Sequence, residues 1–172
     1  RPVLVEIINS TMKMTALKIS DVKLIETEIF EDDRGLFFES FNQEKFNKAI
    51  GLSVSFVQAN QSKSKKGVIR GLHYQKEPFA QGKLVRAVKG EIFDVAVDIR
   101  KKSPNYGQWA GYNLTAENGH QLYIPVGFAH GFITLEPNSE ILSVLKSYSL
   151  APTFQSDCKH SHYHKLSIAE SE

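Results

Sequence analysis

Between residues 22 and 148, short apolar runs rich in Val, Ile, Phe and Tyr alternate with polar positions and are separated by turn signals. This is how a sandwich or barrel of strands reads. The clearest run is 90–99, where Phe93, Val95, Val97 and Ile99 share one face and Asp94, Ala96 and Asp98 the other. Strand alternation predicts that the apolar set faces the core and the aspartate face lines something polar or solvated. Further strands are predicted at 22–30, 36–41, 54–60, 83–89, 108–115, 121–124, 131–135 and 140–148. Turns such as Asp32-Asp33-Arg34-Gly35 and Ser103-Pro104-Asn105-Tyr106-Gly107 separate them. Only Asn42–Ile50 reads as a short helix. The spacing suits a two-sheet, all-β jelly roll better than alternating βαβ units, with an open mouth where inward polar residues can gather around a ligand.

The pattern divides the chain into three parts. Residues 17–152 form the jelly-roll domain. Residues 1–16, which open on Arg1-Pro2 and include Met12 and Met14, read as an N-terminal extension, vector-derived or part of a longer natural start. Residues 153–172 read as an atypical polar tail; its His160, His162 and His164 have strand-like spacing, but no acid or cysteine at ligand spacing completes a metal site.

Composition narrows the function classes. At 172 residues, 41% hydrophobic and 23% charged, the chain can bury a core without staples. With 21 Lys plus Arg against 19 Asp plus Glu, the formal charge of +2 gives no reason to expect nucleic acid or a membrane as partner. The lone Cys158 and the lack of a long apolar run fit a cytoplasmic protein.

Chemistry concentrates in Arg70-Gly71-Leu72-His73-Tyr74-Gln75 and Ala80-Gln81-Gly82-Lys83-Leu84-Val85-Arg86. His73, flanked by Arg70 and Lys83, has the right chemistry to take a proton from a carbon acidified by an adjacent carbonyl, with the cations holding an anionic substrate and the developing enolate. Each residue also has a plainer reading. A histidine inside a barrel is often just hydrogen-bonded, Lys83 and Arg86 have opposite parity on their strand and would serve as edge charges, and Arg34 alone would decorate a turn. Gly82, which permits close ligand approach, favours a functional Lys83.

Two spacings resemble the histidine motifs of the cupin superfamily of jelly-roll barrels. The first is Gly67, His73 and Gln75; the second is Gly119, Pro125, Gly127 and His130, with Thr134 where metal-binding cupins carry Asn. Gln75 stands where those cupins carry a second metal-binding histidine, so no bound metal is expected.

A non-metal branch of that superfamily, the dTDP-4-dehydrorhamnose 3,5-epimerases, resembles the chain over roughly residues 22–148. The matching stretches are Glu31–Ser40, Phe56–Asn60, Arg70–Gln75, Ala80–Arg86, Gly90–Arg100, Ser103-Pro104, Gly107–Trp109 and Ile124–Phe132. The resemblance implies proton removal and return on carbons flanking a 4-keto group of a dTDP-linked deoxyhexose, without cofactor. It implies His73 as base, Tyr148 as acid and Lys83 at the enolate oxygen. Arg70, Gln58, Asn60 and His130 would line the sugar and phosphate site. Arg34, with Phe30 and Glu39 near it, would reach the nucleotide site of a neighbouring subunit, so a homodimer is implied.

The chain departs from the family after Tyr148. Ser149-Leu150-Ala151-Pro152 replaces the usual Tyr followed by a Ser-Pro or Ala-Pro turn, and the Trp-containing segments that follow in the family are missing. The nearest counterpart to the stretch whose Asp orients the catalytic histidine is Leu166-Ser167-Ile168-Ala169-Glu170, which puts Glu170 in that role. Loss of the orienting carboxylate would weaken turnover. The rival readings are a mono-epimerase and a sugar-nucleotide-binding relative impaired in catalysis.

Overall fold

The computed structural model describes residues 12–146 and the backbone of 164–165. The elements in chain order are β1 (Met12–Ala16), β2 (Lys23–Thr27), β3 (Phe30–Asp32), β4 (Gly35–Phe37), α1 (Gln43–Ile50), β5 (Phe56–Ser64), β6 (Ile69–Tyr74), β7 (Lys83–Lys89), β8 (Glu91–Asp98), β9 (Trp109–Thr115), β10 (Gln121–Ile124), β11 (Phe128–Thr134), β12 (Ser139–Lys146) and β13 (His164–Lys165). A six-stranded sheet in the order β1-β2-β10-β7-β12-β5 faces a five-stranded sheet in the order β13-β6-β11-β8-β9, and β3-β4 forms a separate hairpin. The strand pairs are antiparallel, and the result is the jelly roll expected from the pattern.

The main core lies between the sheets, where Val85, Ile92, Ala96, Leu114, Leu122 and Ile141 interleave. A second cluster covers the other face of the six-stranded sheet. There α1 lays Phe46 on Ile25, Leu84 and Tyr123, with the Phe46 and Tyr123 rings edge-on at 5.3 Å. The helix starts where Asn42 Oδ1 accepts from the amides of Glu44 and Lys45, both at 3.1 Å, and ends at Gly51 in the left-handed region.

Three features differ from the sequence reading. Met12–Ala16, grouped by pattern with the extension, forms edge strand β1 on β2. Residues 69–74 form a strand, β6, that the pattern did not reveal. The faces of β8 are also reversed: Ile92, Asp94, Ala96 and Asp98 are buried inward, whereas Phe93, Val95 and Val97 lie partly buried on the outer surface. The reason is chemical pairing. Asp94 Oδ1 is bonded to a buried histidine, although its Oδ2 has no partner among the described residues, and Asp98 is held by Arg100 at 2.6 Å and Ser103 at 2.6 Å, so each carboxylate has a partner inside the fold. The Arg100 hydrogen bond comes first among the causes holding the Asp98 carboxyl down at about 2.

Candidate active site

A cavity of about 240 Å³ opens between the sheets, enough for a single six-membered sugar ring. Its walls come from β5, β6, β7, β11 and β12. Of the residues singled out from sequence, Asn60, Arg70, His73, Lys83 and His130 all line it.

Arg70 and His73 share this cavity because of a local irregularity. Residues three apart on a regular strand point to opposite faces. Across from β6, however, His130 pairs with His73 and Phe132 with Arg70, so β6 carries one residue more than β11 between these pairs. This bulge returns both side chains to the inner face. It depends on close backbone approach: a Cβ at Gly71, whose φ is +109°, would lie 2.5 Å from the His130 carbonyl oxygen, and one at Gly131 would lie 2.8 Å from that of Arg70. Ser64, buried at the end of β5, accepts from Arg70 Nε at 3.0 Å and fixes the guanidinium.

At the centre, Lys83 Nζ donates to His73 Nε2 at 2.8 Å. The His73 and His130 rings meet edge to face at 5.4 Å. His130 Nε2 in turn donates to Asp94 Oδ1 at 2.7 Å, both groups being buried. Lys83, His73, His130 and Asp94 thus form one polar chain across four strands. Burial, the Lys83 charge and His130 together push the His73 imidazole down to about 3, so it is neutral at pH 7. Burial lowers the Lys83 ammonium to about 8, against the opposing pull of Asp94. A neutral imidazole beside an easily polarised ammonium can accept a proton from carbon while an adjacent oxygen takes up negative charge.

The remaining sequence candidates lie elsewhere. Gln58 is exposed, and its Nε2 donates to Asn60 Oδ1 at 2.9 Å, beside the cavity rather than in its wall. Arg34 sits at the tip of the β3-β4 hairpin, bonded to Asp32 and largely exposed, with Phe30 at the hairpin's start. Glu39 accepts from Lys45 at 2.7 Å and Asn42 at 3.0 Å. None of these lines the cavity. Tyr148, Glu170, His160 and His162 lie outside the described residues. Arg86 projects from the face of β7 opposite Lys83, toward the Phe38 ring at 5.6 Å.

Sequence reasoning passed over Asp94 as a partner for His130, Ser64 as a support for Arg70, and Gln81 two positions before Lys83. The i, i+2 spacing of Gln81 and Lys83 was the available signal for the last. Thr134, at the cupin ligand position, instead pins the turn before β6: it donates to Lys65 O at 2.5 Å and accepts from the Val68 amide at 3.0 Å. Among the described residues no group of three or more His, Cys, Asp and Glu is placed to hold a metal ion, and no helix is long and apolar enough to cross a membrane.

The fold and the cavity define a class: a small cupin-type jelly roll whose barrel holds a histidine–lysine pair. The model of one family, dTDP-4-dehydrorhamnose 3,5-epimerase, matches residues 16–163. The dTDP-4-dehydrorhamnose 3,5-epimerase of Shigella flexneri is 60% identical over 131 residues, 76% of this chain and 72% of that protein. The enzyme of the same name from Pseudomonas aeruginosa is likewise 60% identical, with the same coverage of each chain. Among solved structures, dTDP-6-deoxy-D-glucose-3,5-epimerase of Legionella pneumophila in complex with dTDP-4-keto-L-rhamnose superposes with a TM-score of 0.77 and 46% identity, over 81% of this chain and 73% of that one. The Bacillus anthracis dTDP-4-dehydrorhamnose 3,5-epimerase with TDP and pyrophosphate bound gives 0.76 and 47%, over 82% and 81%. The chain belongs to the dTDP-4-dehydrorhamnose 3,5-epimerase family.

Proposed function

We propose that this protein epimerises a dTDP-linked 4-keto-6-deoxyhexose at C3 and C5, converting dTDP-4-dehydro-6-deoxyglucose to dTDP-4-dehydrorhamnose for deoxysugar and polysaccharide synthesis. The observation that carries this reading is the neutral His73 held 2.8 Å from the Lys83 ammonium inside a cavity the size of a sugar ring. His73 removes the proton from C3 or C5, the C–H electron pair moves into the ring as an enolate, and the negative charge settles on the C4 oxygen against Lys83. As Lys83 turns to that oxygen, the charge that lowers the His73 pKa leaves its ring nitrogen, and the imidazole regains basicity as the reaction needs it. Tyr148 returns a proton from the opposite face of the ring, and inversion follows. The sequence is redox-neutral and calls for no cofactor.

Arg70, steadied by Ser64, and Asn60, backed by Gln58, hold the diphosphate and sugar; His130 completes the wall. Arg34, Phe30 and Glu39 belong to the hairpin region, which serves the nucleotide site of a second copy. A homodimer is supported by the outer face of the five-stranded sheet, where Phe93, Val95, Val97 and Ile133 are only partly buried and Trp109 is 55% exposed. The test is incubation with dTDP-4-keto-6-deoxyglucose in deuterated water, followed by proton NMR. Loss of both the C3 and C5 protons, abolished in His73→Ala, is expected. Exchange at one carbon only would make the protein a mono-epimerase, and no exchange would refute the reading.

A further inference from the structure

The wall of the cavity is polar almost throughout. Among the described residues that line it, only Phe132 and Leu145 are apolar, and each is 7% exposed. Phe132 is part of the main core, whereas Leu145 belongs to neither core cluster. The pairing register shows where this leucine sits. On β12 it lies directly opposite Lys83 of β7 on one side and Gln58 of β5 on the other. Directly opposed residues on antiparallel strands share a face, with Cβ atoms about 5 Å apart. The next position on that face of β12 is Ser143, which is polar and pairs with Asn60. Leu145 is therefore the one apolar side chain that the six-stranded sheet brings to the cavity among the described residues, and it stands beside the lysine whose Nζ reaches His73 at 2.8 Å.

What suits that spot follows from the chemistry of the sugar, and the argument rests on the function proposed above. With the ketone oxygen on Lys83, the groups nearest the ammonium are the substituents of the two carbons that flank C4, a hydroxyl at C3 and a methyl at C5. A leucine offers no hydrogen bond, so a hydroxyl laid on it would give up the bonds it makes in water, whereas a methyl gains by leaving water. We propose that Leu145 seats the C5 methyl group of the hexose. It is then a substrate-recognition residue that selects 4-keto sugars with an apolar group at C5 and fixes which way round the ring lies, with its C5 edge toward β12. A methyl group missing from an apolar seat costs roughly tenfold to two-hundredfold in kcat/KM.

The test compares dTDP-4-keto-6-deoxyglucose with dTDP-4-keto-xylose, which lacks only that methyl group, by deuterium exchange at C3, which both can undergo. The wild type should favour the hexose by about tenfold or more in kcat/KM. Leu145→Ala should lower kcat/KM about tenfold or more on the hexose and less than about threefold on the pentose, because only the hexose has a methyl group to lose its seat. Should that variant fold poorly by circular dichroism, Leu145→Val takes its place, with a smaller loss on the hexose alone. Losses of equal size on both sugars would mean that Leu145 only fills the barrel and would overturn the assignment. A wild type that exchanged the hexose but made no distinction between the two sugars would overturn it too, leaving the proposed function standing. If the wild type exchanged neither sugar, the proposed function itself would fall, and this assignment with it.

Discussion

Replacing Asp94 by Asn tests whether the polar chain from Asp94 to Lys83 sets the charge state of the site. The carboxylate lies behind His130, whose ring faces His73, which in turn accepts from Lys83. Its charge favours the ammonium form of Lys83 and opposes the desolvation that brings that group down to about 8. At an effective dielectric of about 20, two unit charges on the order of 10 Å apart interact by about 1.7 kcal/mol, or about one pKa unit. The neutral amide should therefore drop Lys83 to about 7. If only the ammonium form stabilises the enolate, the rate at pH 8 falls about fivefold beyond any loss at pH 6, where either enzyme keeps Lys83 charged. The assay is the initial rate of deuterium uptake at C3 and C5 from pH 5.5 to 9. The midpoint of the alkaline limb should move about one unit toward acid, whatever the height of the plateau. A midpoint that stays put, or moves toward alkali, would refute the reasoning, because general damage lowers the curve without shifting it.

The same site makes stability pH-dependent. His73 is held at about 3 in the folded state against an ordinary 6.5, so the unfolded chain binds its proton first as pH falls. The stability is complete above about pH 6.5 and is lost toward pH 3; discounting for the ring's partial exposure, about 2 kcal/mol should disappear across that window. Urea unfolding at pH 7 and pH 4.5 should show a larger drop for wild type than for His73→Gln, and equal drops would count against it. Gly131→Ala places a methyl 2.8 Å from the Arg70 carbonyl oxygen, which should cost about 1–3 kcal/mol and misdirect Arg70 and His73 enough to cut turnover about a hundredfold; a thermal melt and the exchange assay read both, and wild-type values would refute it. Val95→Asp on the outer sheet face should turn the proposed dimer into monomers in analytical ultracentrifugation, whereas an unchanged sedimentation coefficient would refute an interface on this face. Asn42→Ala removes the cap that satisfies two amides of α1 and should cost about 1 kcal/mol in thermal unfolding with exchange activity kept.

What the sequence made legible, and what it hid, follows from where each strand's side chains go. The segments at 83–89 and 121–124 were readable to the residue because both are apolar runs whose side chains meet the hydrophobic clusters on the two faces of the sheet. β6 was invisible for the opposite reason. Its inward positions, Arg70 and His73, face a polar cavity, and Gly71 breaks the period at the bulge, so the strand that supplies the proposed base has the weakest strand signature. The reversal on β8 has a related cause. Phe93, Val95 and Val97 turn outward because the inner positions go to Ile92 and Ala96, which join the main core, and to Asp94 and Asp98, which are bonded to His130 and Arg100. The candidate site was legible as a set of residues because motif spacing names His73, Lys83 and His130. The Gly71–Gly131 contact that puts Arg70 beside them is a property of two strands at once, and no single stretch of sequence displays it.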